Sequence, residues 1–209
     1  MKVETFPAIS IGRQYGSGGR EIGKKVAALL GAAYFDKELI ELAANESGMD
    51  KKLLESIDEQ ATNSLLYSLS TGAFMMGGQF LPVTDLPAND KLFLVQSNII
   101  KKAAKEAPGV FVGRCADYVL KSSPRLVSVF IHAPINYRAA RIQKLYDLPE
   151  NKAQDKINRT DKRRASYYNY YTDRRWGKIE NYHLTIDSSC ISTDDAAKLI
   201  VEFAQAKTK

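Results

Sequence analysis

Apolar and polar positions follow two different periods along the chain. Short apolar runs bounded by glycine or polar residues are typical of buried strands, and they occur at residues 6–11, 33–35, 110–113, 126–132 and 182–186. The segments between them carry apolar residues three or four positions apart, which predicts helices. These lie at residues 20–30, 36–44, 51–61, 91–107, 116–120, 136–146, 152–171 and 193–207. Because strands alternate with helices, we predict an α/β fold with a mainly parallel sheet.

Three helix ends carry recognisable signals, and one segment carries none. Gly31 is typical of the residue that ends a helix, and Thr193 and Asp36 are expected to cap helix N termini. Residues 63–87 mix glycine with Met and Phe without a clear period. They are interpreted as a loop or mobile subdomain, or alternatively as an irregular apolar connection packed on the core.

Composition limits the class of protein. The 209 residues correspond to one domain, and 44% hydrophobic with 26% charged residues argues against a disordered, collagen-like or coiled-coil chain. Two cysteines, Cys115 and Cys190, are too few for a disulfide framework and indicate a reducing cytoplasm. No apolar stretch reaches the ~18 residues of a membrane span, and we expect no secretory signal.

The positive charge is concentrated in one segment. Eight basic and two acidic residues lie between 156 and 178, so this segment alone accounts for the net charge of +6. Such a local patch favours an anionic ligand at one site over a uniformly basic surface for nucleic acid. A nucleic-acid binder using the tyrosines interleaved with these charges is the weaker alternative, because the basic residues are confined to this segment.

A glycine-rich turn joins the first predicted strand to the first helix. Four glycines lie within residues 12–19, where the sequence is GRQYGSGG. A strand, a glycine turn and a helix present backbone N–H groups to a phosphate. The strict dinucleotide pattern fails because Glu21 takes the place of its last glycine, and the pattern G-x-x-x-x-G-K-[ST] is approached only at 18–24, inside the helix. A plain turn that links strand to helix is the alternative.

Four stretches together resemble the cytidylate kinase-like proteins, relatives of cytidylate kinase among the nucleoside monophosphate kinases. They read ISIGRQYGSGGREIGKKVAALLGAAYFDKELI, VFVGRCADYVL, VSVFIHAPINYRAARI and DKRRASYYNYY…RWG…NYHLTIDSS. The resemblance covers nearly the whole chain and is weakest at 63–87. It implies one P-loop domain over 1–209, a three-layer sandwich with a five-stranded parallel sheet. It also implies a helical acceptor-binding insertion at about 37–90 and a basic helical lid at about 150–178.

The resemblance also implies an activity. The expected reaction is transfer of the γ-phosphoryl group of ATP, with Mg²⁺, to CMP or dCMP. The alternative is a catalytically impaired nucleotide-binding protein of the same fold. The sequence predicts no oligomeric state.

Aligned with the family's loop, nine residues are expected to bind the nucleotide phosphates: Arg13, Gln14, Tyr15, Gly16, Ser17, Gly18, Gly19, Arg20 and Glu21. Gly19 stands where the family has a lysine, and Glu21 stands where it has the hydroxyl residue that binds Mg²⁺. We therefore assign no metal ligand and expect Arg20 to act as a catalytic cation in place of the lysine. The alternative is a solvated arginine at the start of the helix.

The acceptor side is assigned on the same resemblance. The residues expected to bind the substrate there are Asp36, Arg114, Asp117, Arg138 and Arg141. Arg114 follows the third strand and would bind the acceptor monophosphate, while Cys115 stands where the family has an aspartate that Asp117 partly replaces. The alternatives are a helix cap for Asp36, a salt bridge at the sheet edge for Arg114, and a solvated basic helix face for Arg138 and Arg141.

The lid contributes the remaining candidates. Arg159 and Arg164 are expected to close over the phosphates as catalytic charges, and Asp161 and Arg163 to contact the substrate. Because neighbouring residues on a helix point in different directions, at most one of Arg163 and Arg164 is expected to face the phosphates. The lid tyrosines, Trp176, His132 and His183 are interpreted as structural residues.

Overall fold

The computed structural model describes residues 7–36 and 88–207. The chain divides into two units, one formed by residues 1–36 with 100–209 and the other by residues 37–99. The helices expected over 36–44 and 51–61, and the interpretation of 63–87, lie outside the described residues. Asp36 itself is described, but the helix that it is expected to cap is not.

A five-stranded parallel sheet forms the centre of the first unit. Its strands are β1 (Ala8–Arg13), β2 (Ala33–Phe35), β3 (Gly109–Val112), β4 (Leu126–His132) and β5 (Leu184–Asp187). They lie in the order β2-β3-β1-β4-β5, and every neighbouring pair is parallel. This confirms the predicted α/β fold and its sheet.

Strand β1 runs two residues further than its apolar pattern predicts. It continues through Gly12 to Arg13, which lies opposite Ile131 of β4. The cause is pairing with β4, because a ladder of hydrogen bonds continues past the last apolar side chain. Arg13 is therefore the last residue of a central strand and not part of the loop that follows.

The described helices are α1 (Gly19–Leu30), α2 (Ala88–Glu106), α3 (Ala116–Val119), α4 (Ile135–Tyr146), α5 (Glu150–Thr172) and α6 (Thr193–Lys207), with a 3₁₀ turn at Ile179–Asn181. Residues 88–99 of α2 belong to the second unit, and the other helices belong to the first. Gly31 ends α1 in the left-handed conformation, as predicted. No helix in the described ranges is long and apolar enough to cross a membrane.

The predicted cap at Thr193 is wrong by one residue. The Ser192 hydroxyl accepts the backbone N–H of Asp195 at 3.1 Å and so caps α6. The Thr193 hydroxyl donates instead to Glu21 at 2.8 Å, which draws it away from the helix end.

The core lies where α1 and α6 pack on the central strands. Ile9, Ile11 and Val129 of the sheet are fully buried, as are Ile22 of α1 and Ile200 of α6. Both faces of a parallel sheet are covered, so its central strands are mostly apolar. The carboxyl ends of the strands remain as the edge where loops and polar side chains gather, which is where ligands bind in such folds.

Candidate active site

The turn between β1 and α1 has the backbone of an anion-binding loop. Gly16 and Gly18 adopt positive φ angles of 83° and 79°, which glycine adopts without steric cost. The first bond of the helical series runs from the Ile22 N–H to the Gly18 carbonyl at 3.0 Å. The N–H groups of Gly19, Arg20 and Glu21 therefore precede that series, as at every helix N terminus. This arrangement favours a bound phosphate.

Side chains from the rest of the sheet edge hold the loop in place. The Ser17 hydroxyl donates to the Gln14 carbonyl at 2.8 Å, and the Ser188 hydroxyl donates to the Ser17 carbonyl at 2.7 Å. The Gln14 side chain accepts the Ala133 N–H at 3.1 Å. Both Ser17 and Ser188 are buried. The loop is thus fixed by bonds to itself and to the ends of β4 and β5.

A cavity of about 380 Å³ opens beside the loop. Among the described residues that line it, five carry a positive charge and one carries a carboxylate: Arg13, Arg20, Lys24, Arg141 and Arg164, with Glu21. The excess of positive charge favours an anionic ligand.

One wall of the cavity is apolar. Ile142, Leu145 and Tyr146 of α4 line it, and the Tyr146 side chain hydrogen-bonds Tyr15 of the loop. Burial and this bond raise the pKa of Tyr15 to about 12. The sequence analysis did not identify these residues. Their only signal is that they follow Arg141 on one helix, with Leu145 four positions after it.

Asp36 forms ion pairs with two of the arginines that line the cavity. Its carboxylate lies 2.6 Å from Nε of Arg20 and 3.5 Å from Nη2 of Arg13. The Tyr34 hydroxyl also donates to it, at 3.3 Å. Burial lowers the pKa of Arg13, the Asp36 carboxylate opposes that shift, and the charges of Arg114 and Arg20 reinforce it. The acidic residue after β2 thus orients Arg13 and Arg20.

Glu21 is bonded on both carboxylate oxygens. Oε2 pairs with Nη2 of Arg141 at 2.5 Å, and Oε1 accepts the Thr193 hydroxyl at 2.8 Å and lies 3.4 Å from Nζ of Lys25. The hydrogen bonds from Thr193 and Arg141 lower the pKa of Glu21. The place that the family pattern gives to a Mg²⁺-binding hydroxyl therefore holds a carboxylate committed to protein partners.

The described residues do not fit a metal ion held by the protein. Glu21 has both oxygens engaged, and Asp36 is paired with two guanidinium groups. Across residues 7–36 and 88–207, no group of three or more His, Cys, Asp or Glu side chains is placed to hold a metal.

Asp161 of α5 joins three elements. Its Oδ1 accepts the Tyr15 N–H at 2.7 Å, and its Oδ2 pairs with Nη1 of Arg138 at 2.6 Å. Arg138 of α4 also donates to the carbonyls of Ala133 and Tyr15, at 2.9 and 3.1 Å. Burial raises the pKa of Asp161, while the Tyr15 N–H and Arg138 oppose the shift. Both residues predicted to bind substrate here also have partners within the protein.

The three arginines that the sequence predicts for a lid lie in different surroundings. Arg164 lines the cavity, donates from Nη1 to the Arg13 carbonyl at 3.0 Å and lies over the Tyr15 ring at 5.5 Å. Burial lowers the pKa of Arg164 to about 9, so the guanidinium remains charged at neutral pH. Arg163 is exposed, and so is Arg159, whose Nε donates to the Asp155 carbonyl of the same helix at 3.4 Å. Neither is among the residues that line the cavity.

The turn after β3 has an unusual backbone. Gly113, Arg114 and Cys115 have consecutive positive φ angles of 82°, 56° and 55°. Left-handed residues other than glycine cost energy and cluster at functional sites. Cys115 is buried, and burial raises the pKa of its thiol. This strained turn places Arg114 at the same edge of the sheet as the loop after β1.

Asp117 connects this turn to α5. It is buried and accepts the Tyr168 hydroxyl at 2.6 Å. Burial raises the pKa of Asp117, and the bond from Tyr168 opposes that shift. The two residues are 51 positions apart, and the sequence analysis gave Tyr168 no partner.

A protein-family comparison matches this chain to the model of the cytidylate kinase-like family over residues 8–190. A search of curated proteins by sequence gave no match.

Solved structures share the fold over nearly the whole chain. An uncharacterized protein from Eubacterium ventriosum is 24% identical, with 95% of this chain and 98% of that chain covered and a TM-score of 0.68. The shikimate kinase from Acinetobacter baumannii, in complex with shikimate, is 18% identical over 97% and 95%, with a TM-score of 0.52. The shikimate kinase from Bacteroides thetaiotaomicron is 10% identical over 95% and 98%, with a TM-score of 0.51. The fold is therefore that of the P-loop kinases.

Proposed function

The chain belongs to the cytidylate kinase-like family, and on this premise we propose that it transfers the γ-phosphoryl group of ATP to a nucleoside monophosphate, CMP or dCMP. In this proposal the whole chain acts as one kinase domain. Residues 37–90 bind the acceptor and residues 150–178 form the lid.

The cationic cavity beside the glycine loop carries the proposal. Phosphoryl transfer depends mainly on positioning and on neutralising negative charge. The loop after β1 and the start of α1 supply backbone N–H groups, while Arg20 and Arg164 supply charge to the cavity. The apolar wall of Ile142, Leu145 and Tyr146 gives the nucleoside a surface to pack on. Together these features match the two halves of ATP, its polyphosphate and its base.

The acceptor side rests on the strained turn after β3. Arg114 stands in the left-handed conformation at the strand end, and a guanidinium is suited to two-pronged recognition of a monophosphate. Asp36, held between Arg13 and Arg20, lies near this turn, because Arg13 also lies against Gly113. We assign Arg114 to the acceptor phosphate. We place Asp36 between the residues that bind the acceptor and those that bind the donor nucleotide.

A catalytically impaired nucleotide-binding protein is the second candidate. The observation that favours it is the pairing of Glu21 with Arg141, Thr193 and Lys25 at the place of a metal-binding hydroxyl. Both candidates predict ATP binding, and only the first predicts transfer.

Two measurements test the proposal. Calorimetry measures ATP binding with Mg²⁺, and a coupled assay measures ADP release with each nucleoside monophosphate, with shikimate as an acceptor that lacks a nucleotide. We expect ATP to bind, and we expect CMP or dCMP to raise ADP release above the rate measured without an acceptor. Binding without transfer to any acceptor would favour the second candidate, and no binding of ATP would contradict both.

A further inference from the structure

The loop lysine of the family pattern is missing from this chain, and a different residue fills its space. Building on the proposed function, we propose that Arg13, at the end of β1, is the cation that binds the donor phosphates in place of that lysine. Gly19 is then glycine because the Arg13 side chain occupies the space beside it.

The first observation is steric and concerns Gly19. A Cβ atom added at Gly19 would lie 2.5 Å from Cβ and 3.0 Å from Cγ of Arg13. Gly19 is the first residue of α1 and is absent from the glycines with positive φ, so its backbone would accept any side chain. The requirement for glycine is therefore one of space, and a lysine at this position is incompatible with the observed Arg13.

The second observation concerns the position of the Arg13 guanidinium. A Cβ atom added at Gly113 would collide with Nη1 of Arg13. On its other side, Nη2 lies 3.5 Å from the Asp36 carboxylate. The stem therefore passes Gly19, and the guanidinium is held between the end of β3 and the residue after β2. A group held in this way is preorganised for charge stabilisation.

Arg13 is better placed for this role than Arg20. The Arg13 side chain is 16% exposed and that of Arg20 is 64% exposed. A charge in a less hydrated place interacts more strongly with a bound anion. Arg20 is paired through Nε with Asp36 at 2.6 Å and points into solvent over most of its length. Arg164 supports the assignment, because it donates to the Arg13 carbonyl and fixes the end of the strand.

The test exchanges the two positions. The variants are Arg13→Gly, Gly19→Lys and the double variant, which restores the family's arrangement and keeps the net charge. We expect Arg13→Gly to weaken ATP binding by about tenfold or more through the loss of one charged hydrogen bond. Gly19→Lys should weaken it to a similar extent, because the new side chain collides with Arg13. The double variant should recover most of the affinity. Calorimetry with ATP measures this, and the ADP-release assay follows turnover in parallel.

A second readout needs no nucleotide. Gly19→Lys should lower the melting temperature when Arg13 is present and should do so much less in the Arg13→Gly background, because the collision is then gone. Equal effects of Gly19→Lys in both backgrounds would overturn the claim that the two positions share one space.

Arg13→Ala tests the role of Arg13 even if the other variants fail to fold. Arg125→Ala is its matched control. Arg125 is an exposed arginine that precedes β4, at the opposite edge of the sheet. Wild-type ATP affinity in Arg13→Ala would overturn the role of Arg13 and leave the proposed function standing. Absence of ATP binding by the wild-type protein would instead overturn the proposed function and this role together.

Discussion

The carboxylate of Asp161 accepts the backbone N–H of Tyr15 at 2.7 Å, although the two residues lie 146 positions apart in the chain. The other oxygen of the same carboxylate pairs with Arg138 at 2.6 Å. One side chain of α5 therefore fastens the proposed lid to both the glycine loop and α4.

Asp161→Asn should destabilise the folded protein. The side chains of Asp161 and Arg138 are 15% and 8% exposed, and the amide would leave the Arg138 charge buried without its counter-ion. Breaking a buried pair from one side costs about 3 kcal/mol of unfolding free energy. Urea denaturation measures the change. Glu180→Gln, which breaks the exposed pair with Lys178, is the control and should stay within about 1 kcal/mol of wild type. Equal midpoints for the two variants would contradict the inferred importance of the Asp161 pair.

The backbone at Arg114 allows its charge and its conformation to be tested separately. Arg114→Ala and Arg114→Gly both remove the guanidinium, and both should weaken the acceptor monophosphate by about tenfold or more with little change in ATP affinity. Because Arg114 has a φ of 56°, the glycine variant should be the more stable of the two by about 1 kcal/mol. Calorimetry and thermal unfolding measure the two effects. An equal loss of affinity for both nucleotides would remove Arg114 from the acceptor side.

Asp117→Asn should change how stability depends on pH. Burial raises the pKa of Asp117 above its ordinary value of 3.8, so the folded state holds the proton more tightly than the unfolded state. The contribution of this carboxyl to stability is therefore present at low pH and is lost as the pH rises through the raised pKa. The asparagine keeps an acceptor for Tyr168 and cannot ionise. Its stability relative to wild type should increase as the pH rises above the ordinary pKa of 3.8.

Asp195 of α6 provides a control, because its pKa is shifted in the opposite direction to that of Asp117. The pKa of Asp195 is lowered by the Ser192 hydroxyl and Lys198, so its carboxylate stabilises the fold above its ordinary pKa and that contribution is lost on acidification. Asp195→Asn should therefore lose stability relative to wild type as the pH rises. Urea midpoints across the pH range measure both variants, and parallel curves for the two would refute the assigned shifts.

Local sequence patterns were enough to predict most of the fold. The apolar run before the glycines defines β1, the 3.6-residue period defines α1, and Gly31 ends that helix as predicted. These signals lie within a few residues of the feature they predict. The strand end at Arg13 and the cap at Ser192 depend on contacts with β4 and with Glu21, and those two details were predicted incorrectly.

The sequence indicates the types of residue in the candidate site but not their arrangement. The glycines and arginines of the loop and lid are visible in the sequence, since their types are those that bind phosphate. Their partners are not, because Arg13 meets Asp36, and Tyr15 meets Asp161, only when separate strands and helices converge at one edge of the sheet. The space shared by Arg13 and Gly19 is likewise a property of side-chain direction in three dimensions.

Arg164→Ala should impair turnover more than any other single change in the proposed lid. Its guanidinium lines the cavity, bonds the Arg13 carbonyl at 3.0 Å and lies over the Tyr15 ring. The variant removes one preorganised charge from the phosphate site, and such a loss lowers turnover by about 10²-fold. Arg164→Lys should recover only part of the rate, because an ammonium keeps the charge but loses the planar fork and its stacking on the ring.

Lys162→Ala is the matched control, because Lys162 is an exposed cation two residues away on the same helix. It changes the net charge of the protein equally, so a general electrostatic effect would slow both variants alike, and more so at low salt. A specific role for Arg164 predicts a slow Arg164→Ala variant and a Lys162→Ala variant that turns over at the wild-type rate. Steady-state ADP release at saturating CMP or dCMP measures both. Full activity in Arg164→Ala would contradict this role for Arg164 and would indicate that the arginines around Asp36 stabilise the charge.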